Sequence, residues 1–409
     1  MPVYIIRPKK TIFSESLNLA AVKLSPESRQ QQIEDLNHLQ KEDEHYQEVA
    51  RWTEGIRGKE DINVLKSSQQ PGITGTTIIE MSEEEAESVK KDLAEEAEIL
   101  RDRPIELIHP ANKNSLSLRR EGELTKKDLW HLDAVNIVAA RNSGLTATGK
   151  DITVAVLDTG IDSTHPALQD KVIAAYTFDS QQWSVSQQAI SLDTQGHGTH
   201  VAGLICGQQI GVAPEAKLIN GVLIPGGRGM LSNFVLAIEW IASQPEISIA
   251  NISAGIRGYF GDWEELIDDL VAIGILPICA VGNEGRNQTR SPGNYRSVVS
   301  VGASNHRNRV ASFSGGGNLT INNHIYTVPD LVAPGEQVYS AIVQGGYQAW
   351  DGTSMATPIV SGIASLLLEK NPQIEVLELK DELLSMCESF GISKERQGEG
   401  LIQFGEPFA

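Results

Sequence analysis

Three short motifs hold residues able to carry out nucleophilic catalysis. Asp158 ends the apolar run ValAlaValLeuAspThrGly, His197 stands in GlyHisGlyThrHisValAlaGly, and Ser354 in GlyThrSerMetAlaThrPro. Each alone reads as a cap or turn residue. Together they supply a hydroxyl to attack a carbonyl, an imidazole to take its proton and a carboxylate to orient the imidazole, each beside glycines that permit close backbone approach. A serine hydroxyl is inert at neutral pH without such a base, and the helix start at Ser354 favours negative charge nearby. A fourth motif, AlaValGlyAsnGluGly, puts Asn283 at the end of an apolar run, where its amide can donate to a developing oxyanion.

Other polar residues near these motifs have plainer readings. Asp162 is expected to bond nearby backbone, and His165, before Pro166, to be structural. His200 follows His197 by three residues, yet no third ligand has suitable spacing and no HisGluxxHis occurs, so no catalytic metal is expected. Cys206, Cys279 and Cys387 lie in largely apolar stretches and read as buried free thiols, with no His or basic neighbour to activate them. Asn251, Asn287 and Asn318 open Asn-x-Ser/Thr triplets, which matter only if the protein is exported.

The elements that must position these groups follow from hydrophobic pattern. Apolar runs at Val154–Leu157, Leu218–Leu223, Ile247–Ile252, Leu276–Val281 and Val298–Val301 suit strands buried on both faces. Helical segments alternate with them at His197–Cys206, Leu231–Ala242, Trp263–Ile273 and Ser354–Glu369. This order predicts an α/β body: a mostly parallel sheet with helices on both faces, and ligands at the carboxyl ends of the strands.

A different piece precedes the body. Its pattern predicts a strand at Val3–Ile6, one long polar helix from Pro26 to Ile56 capped by Ser25, a loop at Ser67–Gly75 and a strand at Thr76–Met81. A capping box of Ser82 and Glu85 then opens a helix, and Ile105–Ile108 closes the unit as a strand. The expected form is a small α+β sandwich, with two helices covering one face of a short antiparallel sheet. Residues 111–129 read as a linker, dividing a front domain at 1–110 from a body at 130–409.

The chain has 409 residues, enough for two or three domains, with 34 basic against 53 acidic side chains and a net charge of −19. Without a basic run, nucleic acid and anionic lipid are not expected partners. Charge is dense in residues 1–130, with 19 basic and 25 acidic groups, and sparse in the longer remainder, with 15 and 28. No stretch approaches the roughly 20 apolar residues of a bilayer span, so no membrane association is expected. The start MPVYIIRPKK lacks a secretory pattern, so a cytoplasmic protein is expected, with export by another route left open.

The four motifs, in this order, resemble those of the subtilisin-like serine proteases, the subtilases, over about Trp130 to Lys370. The resemblance implies a subtilisin-like sheet and a serine endopeptidase in which Ser354 is the nucleophile, His197 the general base and then acid, and Asp158 the group that holds the imidazole tautomer. Asn283 and the Ser354 backbone N–H would bind the oxyanion. It also implies that an extended peptide is clamped between Gly227-Arg228-Gly229 and Ser253-Ala254-Gly255, with Ala280 to Gly282 walling the specificity pocket. None of these positions carries an acid, which argues against a strict demand for Lys or Arg before the cut; Arg228 either favours an acidic substrate side chain or is simply solvated. The cluster Asp262, Glu264 and Glu265 reads as a solvated helix start.

Two features depart from the family pattern. Ala167 stands where many secreted members have an Asp, and the loop between Gly203 and Pro214 is short, so the usual tight calcium site is expected to be absent and no cofactor is required. The front domain is similar to the inhibitor-like propeptides of subtilases, although its first helix is longer. Residues near Leu107 to Pro110 would then lie in the substrate cleft, making the front domain an intramolecular inhibitor and protein or peptide substrates the other partners. A permanently attached regulatory domain, a dedicated processing protease or peptide ligase, an esterase, and a non-catalytic peptide-binding module are the alternatives.

Overall fold

The computed structural model describes residues 1–9, 23–56, 63–64, 74–114, 117–179 and 184–405. Among the described residues ten strands form the central sheet, in the spatial order Cys387–Glu388, Leu401–Ile402, Leu331–Pro334, Val299–Ser304, Leu276–Ala280, Ile247–Ile252, Thr153–Asp158, Lys217–Val222, Val172–Asp179 and Ser184–Gln187. Only the two outermost pairings are antiparallel; the eight inner strands run parallel. The α/β class read from the alternating pattern is the class observed.

Side-chain alternation along Thr153–Asp158 shows how the two faces are filled. Val154 and Val156 join the core with the helices His197–Cys206 and Thr353–Lys370, whereas Ala155 and Leu157 join the core with Leu231–Ala242 and Glu264–Ala272. A strand covered by helices on both sides has no polar face, which is why its sequence reads as a continuous apolar run. The carboxyl ends of neighbouring strands are level: Leu157 pairs with Ile252, and Ile252 with Cys279. The residues that follow those ends, Asp158, Ser253 and the segment leading to Asn283, therefore gather at one edge.

The front piece contains an antiparallel sheet in the order Asn63–Val64, Thr77–Glu80, Val3–Pro8 and Ala97–Arg101. Tyr4, Ile6 and Ile79 pack beneath Val49, Ala86 and Val89 of two helices, Glu44–Ile56 and Glu83–Asp92, and Leu93, which caps the second. The Ser82–Glu85 capping box is formed, with Glu85 N–H donating to Ser82 Oγ at 3.1 Å and Ser82 N–H to Glu85 Oε2 at 2.9 Å.

Three expectations for this piece change. The long helix is two, Pro26–Glu42 and Glu44–Ile56, because Asp43 interrupts it and accepts the Tyr46 N–H at 2.8 Å, capping the second. The Ser67–Gly75 loop falls largely outside the described residues. The strand expected to close the sandwich, now Pro104–Leu107, belongs to the body instead, and Ala97–Arg101 takes its place in the front sheet.

The second face of the front sheet lies on the body. Ile5 and Ile78, with Ile33 and Leu36, share one core with Phe234 and Leu236. Arg7, 1% exposed, donates to Asp269 at 2.9 Å and lies 3.5 Å from Glu265. Glu265 therefore contributes to the docked surface rather than only to a solvated helix start. Arg29 donates to the Pro245 carbonyl at 2.7 Å, and Glu239 accepts from the Thr74 N–H and hydroxyl. Asp102 accepts the Ser232 N–H at 2.9 Å and the Ser232 hydroxyl at 2.6 Å, capping Leu231–Ala242 from outside its own chain segment. Beyond Pro104–Leu107 the chain runs along the body: Asn112–Lys113 pairs antiparallel with Tyr347–Asp351, and Arg119 exchanges hydrogen bonds with Tyr347.

Candidate active site

Asp158 and His197 are both fully buried, and His197 Nδ1 lies 2.8 Å and 3.0 Å from the two Asp158 carboxylate oxygens. The helix bearing His197 approaches the strand bearing Asp158 at Gly198, where a Cβ would stand 2.0 Å from the Gly160 carbonyl. A carboxylate so placed fixes one tautomer: the proton sits on Nδ1 and leaves Nε2 free to accept. His197 Nε2 is buried and has no hydrogen-bond partner.

Asp193, four residues before His197, was not singled out by sequence. Its Oδ1 accepts from Thr159 Oγ1 at 2.8 Å and from the Gly196 N–H at 2.7 Å, while Oδ2 accepts from the Thr199 N–H at 2.8 Å and hydroxyl at 2.6 Å. The Thr159 hydroxyl in turn accepts the Gly198 N–H at 3.1 Å. One carboxylate thus ties the residue after Asp158 to the first turn of the helix that carries His197. The only sequence cue is an acid shortly before a helix start.

Ser354 is the second residue of Thr353–Lys370, and its hydroxyl donates to the Ile108 carbonyl at 3.1 Å. Asn283 accepts the Thr353 N–H at 2.8 Å and the Thr353 hydroxyl at 2.9 Å through Oδ1, which leaves Nδ2 facing outward. That Nδ2 donates to the His109 carbonyl at 2.8 Å. Ser354 and Asn283, both selected from the sequence, therefore meet two successive carbonyls of the same front segment.

The two glycine-containing stretches also converge on that segment. Pro104–Leu107 is the middle strand of an antiparallel trio, with Arg228 opposite Glu106, Gly229 opposite Ile105, Leu107 opposite Ala254 and Glu106 opposite Gly255. The Ile108 N–H donates to the Ser253 carbonyl at 3.1 Å. Gly227 lies at the turn leading into the first of these strands. Gly229 and Gly255 have no room for a side chain: a Cβ would stand 2.7 Å from the Leu223 carbonyl and 2.1 Å from the Ser291 carbonyl. Ala280 is buried, and a Cβ on Gly282 would meet Glu284 at 2.8 Å and Arg290 at 3.2 Å. Those two side chains form an ion pair of 2.5 Å that the sequence reading did not associate with the pocket.

The remaining polar residues have local partners. His200 Nε2 contacts the Gln348 carbonyl at 3.0 Å and its ring stacks on Trp350 at 4.3 Å; burial lowers its pKa to about 3. His165 contacts the Gly346 carbonyl at 2.9 Å and accepts the Ala167 N–H at 3.1 Å; Asp162 accepts the Thr164 N–H at 3.0 Å. Cys206 and Cys279 are buried free thiols and Cys387 is partly buried; burial raises all three pKa values, those of Cys206 and Cys387 to about 12. Among the described residues no group of three or more His, Cys, Asp or Glu is placed to hold a metal ion. Ala167 offers no side-chain oxygen, and its carbonyl accepts the Gln208 N–H at 2.9 Å.

A hydroxyl at a helix start, a buried carboxylate–imidazole pair, an outward amide and a strand clamp together can support acyl transfer from an extended peptide. The family model Peptidase_S8, described as the subtilase family, matches residues 149–400. Subtilisin BL of Lederbergia lenta is 36% identical over 280 residues, covering 67% of this chain and 96% of the relative. Alkaline elastase YaB of Bacillus sp. (strain YaB) is 32% identical over 334 residues, covering 78% and 82%. Subtilisin E of Bacillus subtilis (strain 168) is 36% identical over 265 residues, covering 62% and 65%. The chain belongs to the subtilase family and is a serine endopeptidase of the subtilisin type.

Proposed function

We propose that this endopeptidase is made as a self-inhibited precursor and hydrolyses peptide bonds through an acyl-enzyme on Ser354. In this reading His197 takes the Ser354 proton and later gives it to the leaving amine, and Asp158 holds the imidazole and stabilises its charged form. Asn283 and the Ser354 N–H receive the oxyanion, and Gly227, Arg228, Gly229, Ser253, Ala254 and Gly255 clamp the substrate backbone, with Ala280 and Gly282 at the specificity pocket. Residues 1–110 act as the intramolecular inhibitor, 111–129 as the connection and 130–409 as the catalytic domain. No cofactor enters the proposed reaction, and the unpaired cysteines favour action in a reducing cytosol.

One observation carries this proposal: residues 104–109 lie between the two clamp strands with successive carbonyls at Ser354 Oγ and Asn283 Nδ2. The same geometry explains inhibition. The Ile108 carbonyl has the hydroxyl and the His109 carbonyl has the amide, so neither carbonyl has both the attacking group and this oxyanion donor. This split also favours a variant reading in which the front piece stays attached until a second molecule cuts it.

A fluorophosphonate should label Ser354 of the wild-type protein and fail to label His197→Ala. Mass spectrometry should find Ser354→Ala intact while the active protein loses its front piece. Equal intact masses for both proteins would reject removal in favour of a permanent regulatory domain, and a wild-type protein that never labels would reject the catalytic assignment.

A further inference from the structure

Resting on the reading of residues 104–113 as a substrate mimic, we propose that Trp350 forms a leaving-group-side subsite that selects a cationic side chain, lysine or arginine, at the fifth residue after the bond presented to Ser354. The chain's own occupant is Lys113, whose Nζ lies 4.0 Å from the centroid of the Trp350 ring. Counting from Ile108, whose carbonyl meets Ser354, Lys113 is the fifth residue onward.

The site is built rather than incidental. The backbone is held by strand addition: the Ala111 N–H donates to the Asp351 carbonyl at 2.7 Å, the Asn114 N–H to the Ala349 carbonyl at 3.1 Å, and Lys113 is registered opposite Trp350. The indole is fixed by its Nε1–H, which donates to Gln348 Oε1 at 2.7 Å, and by His200, stacked at 4.3 Å with an interplanar angle of 8°. The imidazole at 4.3 Å and the ammonium at 4.0 Å both lie against the indole. Trp350 is consequently only 4% exposed while this segment is in place. His200, with its pKa lowered to about 3 by burial, is neutral at physiological pH and does not repel a cation at the indole. Burial pulls the Lys113 pKa down, and the charge of Asp193 opposes that shift, so the site also has an acidic neighbour.

The attraction of a cation to an aromatic face at a partly exposed site corresponds to about a two- to fivefold effect. Two measurements test it. In the intact chain, Lys113→Met should raise the rate of fluorophosphonate labelling of Ser354 by about that factor, whereas Lys113→Arg should leave it unchanged. For substrate choice, paired fluorogenic peptides carry Pro-Ile-Glu-Leu-Ile before the cut and either lysine or norleucine as the fifth residue after it. The wild-type protein should cleave the lysine peptide with about two- to fivefold higher kcat/KM, Trp350→Leu should bring the ratio to one, and Trp350→Phe should keep part of it. Using the ratio within each variant cancels any change in turnover caused by altering a residue so near His197.

A protein that labels and cleaves but shows a wild-type ratio of one, or the same ratio in Trp350→Leu, overturns the subsite alone. A protein that neither labels nor cleaves overturns the catalytic reading. In that event the binding of fluorescein-labelled lysine and norleucine peptides, followed by anisotropy, still decides the subsite: equal affinities overturn it and a preference for lysine upholds it.

Discussion

The side-chain amide of Asn283 lies 2.8 Å from the carbonyl oxygen of His109. Because its Oδ1 is held by the Thr353 N–H and hydroxyl, the amide cannot turn away when a substrate replaces the front segment. Replacing one preorganised oxyanion donor typically lowers turnover by roughly 10²–10³. For Asn283→Ala, steady-state kinetics on a peptide substrate should show that loss in kcat with little change in KM.

Asp158 gives a second prediction. Its carboxylate receives His197 Nδ1 at 2.8 Å and the Thr159 N–H at 2.7 Å, both inside the protein. An isosteric amide keeps the shape but favours the other imidazole tautomer, which in triads of this kind costs about 10⁴ in kcat. Asp158→Asn should show a fall of that order while its melting temperature stays close to that of the wild type. A large drop in melting temperature would instead assign Asp158 mainly to stability.

Arg7 and Asp269 join the two parts of the molecule by a 2.9 Å contact, with both side chains almost wholly buried. Breaking such a buried pair by removing one member typically costs about 3–5 kcal/mol. Arg7→Met should therefore loosen the front piece and speed fluorophosphonate labelling of Ser354.

The interface also predicts a pH dependence. Burial pushes the Glu239 carboxyl up to about 7, against the opposing hydrogen bonds from Thr74 and the charge of Arg7. Asp268, nearby on Glu264–Ala272, is raised to about 6 by burial, and Glu265 is raised for the same cause. Docking favours the protonated carboxyl, so this contribution is complete below the ordinary value near 4.5 and is lost as pH rises through about 7. Labelling of the intact chain should accelerate over that upper range, and Glu239→Gln should flatten the acceleration. The ratio of the two proteins isolates the part that depends on Glu239.

The sequence alone determined the layered α/β body, because strands buried on both faces must be apolar throughout and the helices between them must carry an apolar stripe. It also offered Asp158, His197, Asn283 and Ser354 as candidates for the chemistry, through four motifs that resemble those of the subtilases. Local pattern misled where the competing signal was not local. The strand at 104–107 has the same alternation whichever sheet accepts it, and only the open gap between Arg228–Met230 and Ala254–Arg257 decides its partner. Asp43 divides a helix that polar periodicity presents as continuous, by offering its side chain to the Tyr46 N–H.

What only the tertiary structure decided is the pairing of groups far apart in sequence. Asp193 reaches both Thr159 and Thr199, Asn283 is aimed by Thr353, and Lys113 settles on Trp350. Such contacts depend on distances set by the packing of whole elements, to which short-range spacing is blind. The residue types define the chemistry available to this chain, and the fold decides which carbonyl that chemistry meets.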